Sequence, residues 1–419
     1  MTSDIADTKD STKLAELLAH LDAQADRVQL IQTNLTAARA VGPENGGEGE
    51  GKKALYIEGL LKDAGITDII RVDAEDSRVP GGVRPNLIAT IQGKRKQALW
   101  LFAHMDVVPE GDLSLWKTNP WQVERQGDTL IGRGVEDNQQ SLVSMLLLAE
   151  GLSHCQVQPE LTVKLVFMSD EECGNEKGLD YVVAKRPDLF PKDGFYIVPD
   201  GGSPSGNDIL VAEKSIYQLK VGINGVQCHA STPDKGTNAL FAAAEAVLSL
   251  KELDKAFPER DALFEPDRST FTPTRHELNV AGINIMPGRD VFWIDCRLLP
   301  SVAPEKVRAK VTELVQAAAK KHGCTAEVDE GLLQRASRTS PEAPVVKALA
   351  RTLEKEGKTP HLIGIGGGTV AAILRHAGIP ACVWSTIAEC CHEPNEHSSI
   401  ANTIADARIF SRLALDASL

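Results

Sequence analysis

This chain alternates short, continuous apolar stretches with helical ones, and that alternation constrains its fold more than any other feature. Leu99 to Ala103 and Phe195 to Val198 are typical of strands buried on both faces. The stretch from Gln140 to Ser153 has the spacing of a helix. Strands that alternate with helices predict an α/β fold with a mostly parallel sheet.

Residues 214–331 interrupt the alternation with a different order of elements. Their pattern predicts strand, helix, strand, strand, helix, strand, which is the order of a ferredoxin-like α+β unit. The predicted strands are Ile216–Ile223, Leu278–Ile285, Val291–Leu298 and Thr325–Val328, the predicted helices are Asn238–Leu253 and Pro304–Lys321, and Leu263–His276 is predicted as a loop. We therefore expect one domain formed by residues 1–213 and 332–419, with residues 214–331 inserted as a second domain.

Charge and cysteine spacing limit the classes of function. With a formal net charge of -13, most of the surface would repel nucleic acids and anionic membranes. The first residues form no signal peptide, and no apolar run approaches the roughly 18 residues that span a bilayer. We therefore expect a soluble, cytoplasmic protein without nucleic-acid or membrane partners. The eight cysteines show no Cys-x-x-Cys spacing, so we expect reduced thiols and a metal held by histidines and carboxylates.

Polar side chains of the larger domain gather where the predicted strands end. The groups are His104 with Asp106, the stretch Gly132–Asp137 ahead of a helix, Asp170–Glu172, and Asp200. Ligands of open α/β sheets bind at the carboxyl ends of the strands. Acidic groups that converge there repel one another unless a cation neutralises them, and carboxylates with imidazoles suit Zn²⁺ or a similar divalent ion. Each group alone is typical of a solvated surface, whereas together they indicate a metal site.

The motifs of the chain, taken in order, resemble those of a known family over nearly its whole length. They are Ala103-His104-Met105-Asp106-Val107-Val108-Pro109, Gly132-Arg133-Gly134-x-x-Asp137, Asp170-Glu171-Glu172, Pro199-Asp200-Gly201, the His229 segment, Asn284-Ile285-Met286-Pro287, Asp295-Cys296-Arg297, Gly366-Gly367-Gly368-Thr369 and His392-Glu393-Pro394-Asn395-Glu396. The chain thereby resembles the acetylornithine deacetylase, succinyl-diaminopimelate desuccinylase and carboxypeptidase G family of dinuclear zinc hydrolases. The resemblance implies a zinc-exopeptidase-like catalytic domain and an inserted ferredoxin-like domain that acts as a lid or in dimerisation.

The resemblance also implies which residues hold two divalent metal ions. His104, Asp137 and Asp200 would hold one ion, and Asp137, Glu172 and His392 would hold the other, with Asp137 bridging both. Zn²⁺ is the expected metal, and Co²⁺ or Mn²⁺ would suit the same ligands. Cys390, Cys391 and His397 lie near His392 in the sequence, but we do not expect them to be ligands.

Three further residues have catalytic roles by the same resemblance. Glu171 would be the general base, and Asp106 would fix the orientation of the His104 imidazole. His229 would reach across a homodimer into the partner's active site and stabilise the oxyanion, which implies that the protein is a homodimer.

The resemblance further implies substrate contacts from Asn284, Arg297, Gly368 and Thr369, with Arg297 suited to a carboxylate. The chain departs from desuccinylases after Thr369. Their loop continues with Ser/Thr-Asp and then an Arg, whereas this sequence has Val370-Ala371-Ala372-Ile373, and this leaves the acyl group open.

These features predict a hydrolase that cleaves the amide bond of a small N-acyl amino acid. A metallo-dipeptidase or carboxypeptidase acting on a short peptide is the alternative with the same chemistry. A non-catalytic ligand-binding relative is a remote alternative, since the whole ligand set and Glu171 are present. A serine hydrolase is disfavoured because the sequence contains no Gly-x-Ser-x-Gly motif.

Overall fold

The computed structural model describes residues 2–419, with side chains described from Thr12 onward. The chain divides into two compact units. The first contains the residues up to 211 together with 339–362 and 369–419, and the second contains residues 212–338 and 363–368. That these units act as the predicted catalytic domain and the predicted lid or dimerisation domain stays a prediction.

A mixed sheet forms the centre of the first unit. In spatial order its strands are Ile69–Arg71, Leu87–Ile91, Leu161–Met168, Arg95–His104, Phe195–Ser203, Ala381–Thr386 and Asp208–Glu213, the last of which continues into the second unit. The four strands from Leu161–Met168 to Ala381–Thr386 run parallel, and the strands outside them are antiparallel to their neighbours. This sheet confirms the predicted α/β fold.

Helices of the first unit bury the central strands. They are Thr2–Asp22, Ala25–Ala37, Gly51–Asp63, Gln139–His154, Leu179–Lys185, Pro344–Lys355, Ala371–His376 and Ile400–Leu415. Gln139–His154 is buried almost all round because apolar residues occur on every side of it. The strand Arg95–His104 is buried on both faces from Ala98 to its end. Since the faces of the central strands are covered, ligands meet this sheet at the ends of its strands.

Short strands complete the first unit. Thr129–Ile131 pairs with both Glu124–Gln126 and His397–Ser399, and Ala74–Glu75 pairs with Val83–Arg84. Across residues 2–419, no helix combines the length and the apolar composition that a membrane crossing needs.

The second unit is an antiparallel sheet with helices. In spatial order its strands are Thr270–His276, Arg289–Leu298, Ser215–Asn224 and Thr325–Gln334. Along the chain, the main elements follow the order strand, helix, strand, strand, helix, strand. The helices are Ala239–Ser249, Leu253–Ala256 and Pro304–Lys321, and further short strands are Cys228–His229, Ile285–Met286, Ser337–Arg338 and His361–Ile365, the last of which begins in the first unit. This confirms the predicted ferredoxin-like α+β unit.

One predicted strand of the second unit is wrong. Leu278–Ile285 is irregular except at Ile285, and the second strand is instead Thr270–His276, which lies in the predicted loop. Thr270–His276 has no apolar run and contains Pro273, which is tolerated because the strand lies at the sheet edge. The apolar residues that suggested the wrong strand, Leu278 and Ile283, are exposed.

Candidate metal centre

The five predicted metal ligands lie in the first unit, close to the carboxyl ends of its parallel strands. His104 is the last residue of Arg95–His104, and its strand partner Met168 ends the strand that precedes Glu172. Asp200 lies in the strand Phe195–Ser203, and His392 follows the strand Ala381–Thr386. Asp137 comes just before the helix Gln139–His154. Parallel strands end at the same edge of the sheet, which explains why residues so far apart in sequence meet there.

Asp137 lies between the two imidazoles. Its Oδ1 is 2.8 Å from Nε2 of His104, and its Oδ2 is 3.1 Å from Nε2 of His392. Nε2 of His392 is also 3.0 Å from Oε2 of Glu172, and Nε2 of His104 is 3.8 Å from Oδ1 of Asp200. The five side chains therefore form two groups that share one carboxylate.

The electrostatics of this cluster fit cations. Burial raises the pKa of Glu172, and it raises the pKa of Asp200 to about 6. The pKa of Asp137 lies below its usual range. Burial acts to raise it, but hydrogen bonds from both histidines outweigh the effect of burial. Hydrogen bonds to Asp137 and Glu172 raise the pKa of His392 to about 10. Three carboxylates face only two imidazoles, so divalent ions would relieve the excess negative charge.

Asp106 connects one proposed ligand with the turn that carries Glu171. Nδ1 of His104 donates a hydrogen bond to the backbone carbonyl of Asp106 (3.0 Å) and lies 3.5 Å from its carboxylate. When a metal ion is bound, this contact would keep the proton of a neutral ring on Nδ1 and leave the lone pair of Nε2 for the ion. The same carboxylate accepts hydrogen bonds from the backbone N–H groups of Glu171 (3.1 Å) and Glu172 (3.0 Å). The structure thus places Asp106 where it fixes the position of His104 and of both glutamates.

Glu171 is a partly buried carboxyl group beside the proposed ligands. Burial raises its pKa well above the usual value; the positive charge of His104 opposes this, while Asp200, Glu172 and Asp137 add to it. A carboxyl group with a raised pKa can both take and release a proton near neutral pH.

Several side chains that support this site through hydrogen bonds were not predicted from the sequence. Nδ2 of Asn138 donates to Oδ1 of Asp200 (2.5 Å), so it orients that carboxylate. Arg84 and Glu50 form a fully buried ion pair, and Glu50 Oε1 accepts the N–H of Asp170 (3.2 Å), at the start of the turn that carries Glu171. Asn138 could have been found from the sequence, because it directly follows the proposed ligand Asp137. Glu50 lies in a glycine-rich loop, and no sequence pattern there indicates a role in the site.

Most of the remaining predicted site residues belong to the second unit. There His229 pairs with Ile285, and the N–H of Ala230 donates to the carbonyl of Asn284 (2.9 Å), so His229 and Asn284 lie close together. Nδ1 of the exposed His229 accepts the N–H of Ser231 (3.1 Å), which puts the proton of a neutral ring on Nε2.

Arg297 is engaged within the second unit. Its Nε and Nη2 donate to the two carboxylate oxygens of Asp295 (2.7 and 3.2 Å), and its Nη1 donates to the carbonyl of Gly366 (2.8 Å), two residues before Gly368. Thr369 belongs to the first unit, where its hydroxyl accepts the N–H of Ala371 (3.2 Å). The substrate contacts expected of these residues stay predictions.

Comparison with known proteins extends the likeness beyond the site. The sequence pattern of peptidase family M20/M25/M40 matches residues 100–416. An uncharacterized metallohydrolase of Methanococcus maripaludis is 34% identical over 407 residues, which cover 91% of this chain and 96% of that protein. A succinyl-diaminopimelate desuccinylase of Ruegeria sp. is 25% identical over 93% of this chain and 95% of its own length. The crystal structure of human carnosine dipeptidase 1 has the same fold, with a TM-score of 0.74 at 17% identity, over 96% of this chain and 98% of that one.

Proposed function

This chain belongs to peptidase family M20/M25/M40 and is a metallohydrolase of amide or peptide bonds, and we propose that it removes the acyl group from a small N-acyl amino acid. A relative named succinyl-diaminopimelate desuccinylase, similar over nearly its whole length, supports this substrate class. The family resemblance leaves the acyl group open, because Val370-Ala371-Ala372-Ile373 stands where it implies Ser/Thr-Asp and then an Arg.

The observation that carries the proposal is the position of Asp137, whose two carboxylate oxygens face two different imidazoles. A bridging carboxylate of this kind suits two metal ions. We propose that His104 and Asp200 hold one ion, that Glu172 and His392 hold the other, and that Asp137 binds both. Zn²⁺ is the proposed metal, and Co²⁺ or Mn²⁺ would suit the same oxygen and nitrogen donors.

Two divalent ions, when bound, lower the pKa of water and polarise the carbonyl group of the amide. The side chains of this chain then supply proton transfer and orientation. Glu171 takes a proton from the attacking water as the water oxygen bonds to the carbonyl carbon. As the C–N bond breaks, Glu171 passes that proton to the departing nitrogen. Asp106 keeps His104 and Glu171 in place during both steps, because it is bonded to His104 and to the N–H of Glu171.

We further propose that the protein is a homodimer in which His229 donates its Nε2–H to the developing oxyanion of the partner's active site. The resemblance of the His229 segment to the family motif supports this, as does the hydrogen bond from Ser231 that leaves the proton on Nε2. A cytoplasmic location stays a prediction from the sequence.

A metal titration combined with a substrate panel tests the proposal. Metal-free protein is titrated with Zn²⁺, Co²⁺ or Mn²⁺, and each form is assayed against N-acetyl amino acids, N-succinyl amino acids and dipeptides. We expect two metal ions per chain and the fastest hydrolysis with an N-acyl amino acid. Binding of fewer than two ions would overturn the dinuclear site. Faster cleavage of dipeptides would instead identify the chain as a dipeptidase.

A further inference from the structure

Two loops of the first unit each carry one proposed ligand and one buried glutamate. The first loop, residues 132–137, contains Glu136 and Asp137. The second loop, residues 388–396, contains His392 and Glu396. The loops lie side by side, since the strand before the first pairs with the strand after the second, His397 opposite Ile131. Neither Glu136 nor Glu396 is a proposed metal ligand or takes part in the proposed proton transfer.

The carboxylate of Glu396 binds the first loop. Its Oε2 accepts the Nη1–H of Arg133 (2.6 Å) and the N–H of Gly134 (2.9 Å). Its Oε1 accepts the N–H groups of Glu136 (2.9 Å) and Asp137 (3.1 Å). Glu396 is 0% exposed. Four donors therefore hold this carboxylate, and one of them is the backbone of the bridging residue Asp137 itself.

The carboxylate of Glu136 binds the second loop in return. Its Oε1 accepts the N–H groups of Ala388 (2.5 Å) and Glu389 (2.8 Å). Its Oε2 accepts the N–H of Cys390 (2.8 Å) and the thiol of the same residue (2.9 Å). Cys390 is two residues before His392. Hydrogen bonds to a charged acceptor are short and directional, so each buried carboxylate fixes the backbone of the opposite loop.

We propose that Glu136 and Glu396 are positioning residues that form a reciprocal clasp, which holds Asp137 and His392 at the spacing that a shared metal ion needs. This inference rests on the ligand set proposed above. The exchange is mutual: each loop supplies a carboxylate to the backbone that carries the ligand of the other loop. Residues that orient metal ligands through hydrogen bonds change metal affinity by about 10–100-fold when they are replaced.

Amide hydrogen exchange on metal-free protein tests the clasp separately from metal binding. Glu396→Gln replaces one acceptor oxygen by a donor and is expected to speed exchange at Gly134, Glu136 and Asp137 about tenfold. Glu136→Gln is expected to do the same at residues 388–390. Glu393→Gln is the matched control, because Glu393 is an exposed glutamate of the second loop. Unchanged exchange in the opposite loop, or equal changes in the control, would overturn the clasp.

Titration with Co²⁺, followed by visible absorption, measures the consequence for the ligands. Both glutamine variants are expected to bind the ion of Glu172 and His392 about 10–100-fold more weakly and to bind the ion of His104 and Asp200 with a smaller change. Wild-type affinity for both ions in the variants would overturn the positioning role. If wild-type protein itself binds no metal, the proposed function fails, while the exchange pattern still decides on the clasp. Should a glutamine variant not fold, Glu396→Asp and Glu136→Asp, which keep the charge on a shorter side chain, are tested in the same two ways.

Discussion

The two units differ in how their proposed functional residues are held. In the first unit, His104 is 1% exposed and bonded to Asp106, which in turn binds the backbone of Glu171 and Glu172. In the second unit, the side chain of His229 is exposed and bonds Ser231 of its own turn. Buried, multiply bonded side chains have one position, set by the chain itself. An exposed side chain is accessible to a partner, and for His229 the proposed partner is a second copy.

Glu171 is the proposed proton acceptor of the first unit. Replacing it is expected to have the largest effect, a loss of kcat. Glu171→Gln is expected to lower kcat by about 10²–10⁴-fold, because the proton acceptor is lost. Metal content, measured by elemental analysis, should stay at the wild-type level. Glu176→Gln, a change at an exposed glutamate of the same segment, should leave kcat unaltered. Loss of metal from Glu171→Gln would show that Glu171 acts as a ligand rather than a base.

The buried ion pair behind the site gives the next largest effect, on stability. Arg84→Met leaves the carboxylate of Glu50 buried without its cation, and we expect the free energy of unfolding to fall by about 3–5 kcal/mol. Urea denaturation measures this change. Arg186→Met breaks a pair with Asp188 in which both side chains are exposed, and it should cost less than about 1 kcal/mol. Equal losses for the two variants would contradict the view that burial sets the importance of these charges.

The exposed His229 should matter for the reaction but not for the fold. His229→Ala is expected to lower kcat by about 10²–10³-fold, as loss of an oxyanion donor does, and to leave the melting temperature unchanged. Lys235→Ala in the same segment serves as the control. Mixing His229→Ala with Glu171→Gln should restore part of the activity, since a mixed dimer has one site with both groups. Absence of any restoration would count against a histidine supplied by the partner.

Arg297 gives the smallest expected effect on the reaction and tests whether the second unit binds substrate. Its pair with Asp295 is partly exposed, so Arg297→Met should change the free energy of unfolding by less than about 1 kcal/mol. If the guanidinium binds the substrate's carboxylate, KM rises while kcat changes little. Arg289→Met, in the same strand, is the matched control. A wild-type KM would mean that Arg297 serves only Asp295 and the carbonyl of Gly366.

The fold and the position of the cluster could be predicted because both follow from local patterns. Apolar runs such as Leu99–Ala103 predicted the parallel strands. The common direction of those strands brings His104, Glu172 and Asp200 to one edge of the sheet. The edge strand Thr270–His276 was missed because its exposed, proline-containing sequence has no apolar run.

The supporting contacts were missed for a different reason. Glu50 and Arg84 are 34 residues apart, and Glu136 meets Cys390 across 254 residues. Such pairings depend on how distant loops pack, and no local pattern in one sequence encodes them. A role that depends on a second copy, such as the one proposed for His229, is harder still to predict from one sequence.

The position of Asp106 also limits how this enzyme can change over evolutionary time. One carboxylate serves His104 and the peptide groups of Glu171 and Glu172, so a substitution at this position is expected to disturb the proposed ligand and the proposed base together. Changes in substrate preference are therefore expected to leave Asp106 in place.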